Sequence, residues 1–151
     1  MISQVLKTSI MSIGLGFLAQ IFQSSLNTEY LNKFLEQNLI TILIALLAIN
    51  SATLGIVLTK IRDLVEKYGN ASCFNNIKNH MVLSVKEQIC LIIVSIIFLT
   101  LLSSNKISCF SDLKLLLDSI TVGIFAYSLF VLYDTAKSVL IIIDFEIETD
   151  G

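Results

Sequence analysis

The sequence lacks proline and tryptophan altogether, and only 15% of its 151 residues are charged. Soluble domains of this size carry roughly a quarter charged residues, so the composition disfavours a soluble globular protein. By contrast, 55% of the residues are hydrophobic and the mean hydropathy is +0.84. This composition is typical of an integral membrane protein, and the length predicts a single domain over residues 1–151.

Residues that carry chemistry are also scarce. The chain has one histidine, His80, and three cysteines, at positions 73, 90 and 109, without the spacing of a metal site. This odd number of cysteines predicts neither a disulfide framework nor a zinc site. No glycine-rich phosphate loop is visible, and no nucleophile has a supporting histidine and acid. We therefore predict no enzymatic activity, no cofactor and no metal.

Four apolar segments stand out instead. The clearest covers residues 39–59 and contains no charged residue. At 1.5 Å per residue it spans about 31 Å, which matches a hydrocarbon core of about 30 Å. The first segment is the weakest, so three spans plus a surface helix is the alternative. We predict an all-α integral membrane protein with four transmembrane helices, at approximately residues 5–26, 38–68, 86–104 and 113–144.

The distribution of lysine and arginine predicts the orientation, because cytoplasmic loops are enriched in these residues. Five of the ten lie between helices 2 and 3, at positions 60, 62, 67, 78 and 86. With both termini on the same side, Lys7 and Lys137 join them, and only three lie opposite. We therefore expect a multi-pass protein of the bacterial inner membrane with both termini in the cytoplasm.

Helices 2 and 4 are predicted to extend into the cytoplasm. Apolar residues continue at helical spacing from Thr59 to Tyr68, and Gly69 is a typical helix end. The same spacing continues helix 4 to Ile143, although β-branched residues at 139–143 make a short strand the alternative. The asparagine-rich segment 69–84 is predicted to be a loop closed by a short surface helix.

A polar stretch, AINSATLG at residues 48–55, interrupts the centre of helix 2. Small residues four positions apart let two helix backbones approach closely, and in lipid this packing drives association. The same spacing of small residues recurs in helices 1 and 4. The predicted helix-packing or oligomer interface comprises Asn50, Ser51, Ala52, Gly55, Ser119 and Gly123.

Two interpretations of this stretch stay open. In the first, the small residues join helices within one chain or between copies, and Asn50 finds a hydrogen-bond partner across a helix contact. In the second, Asn50, Ser51 and Thr53 line a pore formed by several copies. A proton relay is disfavoured, because Asp118 and Asp134 lie near the expected membrane borders without a further acid near the midplane.

The cytoplasmic extensions and the acidic tail form the predicted docking surface for a partner. Asp134 falls at about the depth of Lys60 and Arg62, so we expect an ion pair between the two extensions. The predicted docking residues comprise Lys60, Arg62, Lys67, Asp134, Asp144 and Glu146. These features favour a membrane anchor or sensor that docks a soluble effector. A pore-forming or holin-like protein is the alternative, and an accessory subunit of a larger complex is the least favoured class.

Three stretches resemble the small membrane subunit of the bacterial Kiwa anti-phage system: LTKIRDLVEKYG at 58–69, SVKEQICLIIVSIIFL at 84–99 and FAYSLFVLYDTAKSV at 125–139. Set in four short helices with a long cytoplasmic extension, they carry the resemblance over nearly the whole chain. The resemblance implies a homo-oligomer, a tetramer, that senses phage attack at the envelope and binds a cytoplasmic DNA-binding effector. The chain itself is expected to contact this effector and the lipid bilayer, but not nucleic acid directly.

Overall fold

The computed structural model of the protein describes residues 2–68, 75–104 and 111–150. These residues form four α-helices and no strand, which confirms the prediction of an all-α protein with four helices. The helices are α1 (Ile2–Ser25), α2 (Tyr30–Tyr68), α3 (Asn75–Leu102) and α4 (Ser111–Asp150). Each is long and apolar enough to cross a membrane, as a multi-pass membrane protein requires. Residues 139–143 belong to α4, so the alternative of a short strand is wrong.

The helices are longer than predicted by six or more residues at three ends. Helix α2 begins at Tyr30 rather than near residue 38, because Leu31, Leu35 and Leu39 continue its apolar face at a spacing of four. Helix α3 begins at Asn75 rather than near residue 86, so residues 75–84 are not the predicted loop and surface helix. Helix α4 continues to Asp150 rather than ending near residue 144.

The turn between α1 and α2 is short and is closed by hydrogen bonds. Asn27 adopts a positive φ of 52°, which asparagine tolerates better than most residues, and the Thr28 amide donates to the Gln23 carbonyl at 3.0 Å. The Thr28 hydroxyl accepts a hydrogen bond from the Tyr30 amide at 3.3 Å, as a helix N-cap does. The turn therefore occupies only the four residues 26–29, and α2 starts directly after it.

Helix α4 is the central helix of the bundle. In its apolar membrane-spanning stretch, 56% of the residues are buried, compared with 11–17% in the corresponding stretches of the other three helices. It packs against α1, α2 and α3, and α1 packs chiefly against α4. Large apolar side chains on all four helices remain exposed, including Ile10, Ile44, Ile93 and Leu129. Such an apolar exterior is expected where the bundle contacts lipid rather than water.

Two apolar clusters hold the helices together at different levels. The first contains Leu35, Leu39 and Leu43 of α2 with Val122 and Ile124 of α4. The α3 residues that pack against it include Leu91, Ile92, Val94, Phe98 and Leu99. The second joins α2, α3 and α4 at the end of the bundle where α2 finishes and α3 begins. We call it the terminal cluster, and it comprises Val57, Leu64 and Met81 with Val139 packed against them.

Candidate functional site

The small residues of α1 and α4 meet within one chain. A Cβ atom added to Gly16 would collide with the carbonyl oxygen of Ser119, and one added to Gly123 would lie 3.2 Å from the carbonyl oxygen of Ser12. Both serines are buried, and each hydroxyl donates to a carbonyl of its own helix at 2.8 Å. The backbones of α1 and α4 come into direct contact because the residues between them are small. Neither serine hydroxyl needs a partner on the other helix.

The small residues of α2 have the opposite environment. Ala48, Ser51 and Ala52 are exposed, and a Cβ atom added to Gly55 meets nothing within 4 Å. In the described part of the chain, no helix covers this surface. We call these four residues the open face of α2. Of the predicted interface residues, Ser119 and Gly123 therefore pack inside the chain, whereas Ser51, Ala52 and Gly55 remain available to lipid or to another copy.

Asn50 points away from the open face and into the bundle. Its side chain is 1% exposed, and neither amide atom has a hydrogen-bond partner among the described residues. The expected partner across a helix contact is therefore absent there. The adjacent Thr53 hydroxyl donates to the Ile49 carbonyl of its own helix at 2.9 Å. Asn50 and Ser51 lie on different surfaces, so a pore lined by the open face would not include Asn50.

The predicted docking residues lie on the end of the bundle that the terminal cluster holds together. Lys60, Arg62 and Asp134 are exposed, and the Arg62 Nε lies 3.0 Å from Glu66 Oε1, one helical turn away. Such an exposed pair contributes only about 0.3–0.5 kcal/mol. The ion pair between Asp134 and α2 stays a prediction. The side chains of Lys67, Asp144 and Glu146 lie outside the described part of the structure.

A cavity of about 200 Å³ at this same end was not predicted from the sequence. We call it the polar cavity. Its ionisable and polar lining comes from α1, α3 and α4 and comprises Thr8, His80, Ser84, Glu87, Tyr127, Asp134, Lys137 and Ser138. The Tyr127 hydroxyl is placed to donate to the Glu87 carboxylate. Sequence reasoning omitted Glu87 because it lay at the expected border of the third apolar segment, whereas α3 in fact begins at Asn75.

A hydrogen-bonded amide network lies at the opposite end of the bundle. The Gln20 and Gln23 Nε2 atoms lie 2.7 Å and 3.0 Å from Asn32 Oδ1, and the Asn32 Nδ2 donates back to Gln20 Oε1 at 3.1 Å. The side-chain Oε1 of Gln23 also accepts from the Leu31 backbone amide at 3.1 Å. Because the amide nitrogen of each of these three residues donates to an amide oxygen on the other helix, this network fastens α1 to the start of α2.

Neither the search for metal ligands nor comparison with known proteins assigns a function to this site. Among the described residues, no group of three or more histidine, cysteine, aspartate and glutamate side chains is arranged to hold a metal ion. Comparison with family models, with curated proteins and with solved structures found no match for this chain. The resemblance to the Kiwa membrane subunit therefore stays a prediction.

Proposed function

We propose that the protein is an oligomeric anchor or sensor subunit of the bacterial inner membrane that docks a cytoplasmic effector. The observation that carries this proposal is the packed end of the bundle. Helix α2 has 39 residues and α4 has 40. At 1.5 Å per residue each is about 58–60 Å long, or about twice the thickness of the hydrocarbon core.

The terminal cluster gives this end a defined shape. Val57 and Leu64 of α2 pack with Met81 of α3, and Val139 of α4 closes the cluster. Three helix ends that pack together present a surface whose side chains are fixed relative to one another. Such a surface suits a docking role better than single helices projecting separately would.

Charge supports the cytoplasmic orientation of this surface. The exposed cations Lys60 and Arg62 lie on it, and most of the lysine and arginine residues of the sequence fall on the same side. Assembly is supported by the open face of α2, since small residues at a spacing of four allow close helix contact in lipid. The role in anti-phage defence, and a tetrameric state, depend on the resemblance to the Kiwa membrane subunit.

The proposal is tested by purification from native membranes in mild detergent, followed by native mass spectrometry. We expect several copies of the chain together with a soluble protein at fixed stoichiometry. The variant carrying Lys60→Glu, Arg62→Glu and Lys67→Glu should recover at least about tenfold less of this partner, because like charges placed across an interface cost several kcal/mol.

The matched control carries Lys33→Glu and Lys114→Glu, which reverse charge at the opposite end of the bundle and should leave recovery unchanged. Equal recovery from both variants would contradict the docking surface. Recovery of the chain alone would favour the pore-forming alternative, which the open face of α2 also permits. Conductance in a planar bilayer would then decide for or against that alternative.

A further inference from the structure

An apolar slot adjoins the polar cavity. It lies between α1 and α3 with α4 behind it, and its volume is about 270 Å³. The slot exists because α1 packs chiefly against α4 and leaves its side towards α3 largely uncovered. Its lining is mainly apolar and includes Ile13, Cys90, Leu91, Ile120, Gly123 and Ile124.

The slot and the polar cavity form one continuous groove. Both are lined by Val5, Glu87 and Tyr127. Along α3 the lining changes from His80 and Glu87 to Leu91, and along α4 it changes in the same direction, from residues 134–138 to residues 120–124. On both helices the polar part lies nearer the end of the bundle and the apolar part lies nearer its centre. This is the order of headgroup and acyl chain in a membrane lipid.

The slot opens sideways to the lipid. Ile13 is 42% exposed and Cys90 is exposed, and these residues lie on opposite helices at its mouth. The serine hydroxyls of α1 at the slot already donate to carbonyls of their own helix, at 2.9 Å for Ser9 and 2.8 Å for Ser12. The apolar part therefore presents hydrocarbon surface and needs no polar group from an occupant.

The polar part carries charges of both signs. Glu87 and Asp134 supply carboxylates and Lys137 supplies an ammonium. The hydroxyls of Ser84 and Ser138 donate to carbonyls of their own helix, so the charged groups are the ones left to meet an occupant. Two acids and one base complement a zwitterion that has an ammonium and a phosphate.

We propose that this groove binds one phospholipid with a primary-amine headgroup. The headgroup ammonium donates charge-assisted hydrogen bonds to Glu87 and Asp134. Lys137 reaches back from the end of the bundle on its flexible four-carbon side chain and pairs with the phosphate. One acyl chain lies in the slot between Ile13 and Leu91. From Ile120 to Lys137 the groove extends over about 26 Å of α4, at 1.5 Å per residue, so it accommodates the headgroup and the upper part of a chain. Two carboxylates disfavour an anionic lipid at this position.

The test is native mass spectrometry of the purified full chain, mixed in detergent with equimolar phosphatidylethanolamine, phosphatidylcholine and phosphatidylglycerol of identical acyl chains. We expect the phosphatidylethanolamine adduct to exceed each of the others by at least about tenfold, because only its ammonium can donate hydrogen bonds to both acids. Glu87→Gln and Asp134→Asn should abolish this preference. Asp63→Asn removes an exposed carboxylate outside the groove and should leave the preference unchanged.

The slot is tested separately by a matched pair of tryptophan variants. Cys90→Trp fills the mouth of the slot and should remove the lipid adduct, whereas Ile89→Trp changes the neighbouring exposed residue outside the slot and should not. This pair also decides the proposal if the acid variants do not fold. Equal binding of phosphatidylcholine, preference for phosphatidylglycerol, or undiminished adduct in Cys90→Trp would overturn the proposal.

Discussion

Gly14 and Gly16 lie two residues apart in α1 and have opposite environments. A Cβ atom at Gly14 meets nothing within 4 Å, whereas one at Gly16 collides with the backbone of α4 at Ser119. Backbone atoms cannot rotate out of the way as a flexible side chain can. The absence of a side chain at position 16 therefore sets how closely α1 approaches α4, while position 14 carries no such constraint.

We predict that Gly16→Ala lowers the free energy of unfolding by about 1–3 kcal/mol, the usual cost of overpacking a contact. Gly14→Ala should cause no loss, since alanine has the higher helix propensity and finds open space. Thermal unfolding of the two variants in the same detergent measures the difference. Equal melting temperatures would show that α1 and α4 are not in the contact described.

Two side-chain amides are buried in surroundings that do not satisfy their hydrogen bonds. Asn50 on α2 and Gln88 on α3 are at most 1% exposed, and neither amide has a hydrogen-bond partner among the described residues. An unsatisfied buried polar group costs about 1–3 kcal/mol in proteins. The sequence expectation that Asn50 stabilises a helix contact therefore finds no support in the hydrogen bonds of the single chain.

At the scale of the element, α2 presents two different surfaces along its length. Leu35, Leu39, Leu43 and Asn50 face the bundle, and the open face of α2 is turned outwards. An exposed stripe of small residues is unusual among the large apolar side chains that cover the rest of the exterior, such as Ile44. If copies assemble through the open face of α2, this face contacts another copy while the large apolar side chains contact lipid.

We expect Gly55→Leu to reduce the oligomer mass measured by native mass spectrometry without lowering the stability of the single chain. The physical reason is that position 55 has no intramolecular neighbour within 4 Å, so the added side chain obstructs only a contact with another copy. Gly14→Leu makes the same change in open space on α1 and serves as the control. An unchanged oligomer mass in Gly55→Leu would exclude the open face as the contact between copies.

At the scale of the whole molecule, orientation decides what each end of the bundle can meet. The terminal cluster and the polar cavity lie at one end, and the amide network of Gln20, Gln23 and Asn32 lies at the other. The distribution of lysine and arginine predicts that the end with the terminal cluster and the polar cavity faces the cytoplasm. Partner docking and headgroup binding would then take place at the same side of the membrane.

Two natural cysteines provide a test of this orientation. Cys73 lies in the segment between α2 and α3 and Cys109 in the segment between α3 and α4, both outside the described residues. In chains that retain one of them and carry Cys90→Ser, a membrane-impermeant maleimide should label Cys109 in intact spheroplasts. It should label Cys73 only after lysis. The reverse pattern would place both termini outside the cytoplasm.

Several features followed from the sequence alone. Apolar length predicts that the four segments form helices able to cross a membrane, because a backbone in lipid must satisfy its own hydrogen bonds. Pairing of Arg62 with Glu66 followed from their spacing of four, which places them on one side of a helix. These properties are local, so they do not depend on how the helices are arranged.

Two features were decided only by the tertiary structure. These are which face of small residues packs against another helix and which acidic residues line the same cavity. Ser119 and Gly123 contact α1 while Ser51 and Gly55 remain exposed in the described chain, although both pairs have the same spacing. Glu87, Tyr127 and Asp134 line one cavity because α3 and α4 cross there. Spacing along a helix defines a face but not its partner, since the partner depends on contacts between segments that are distant in the sequence.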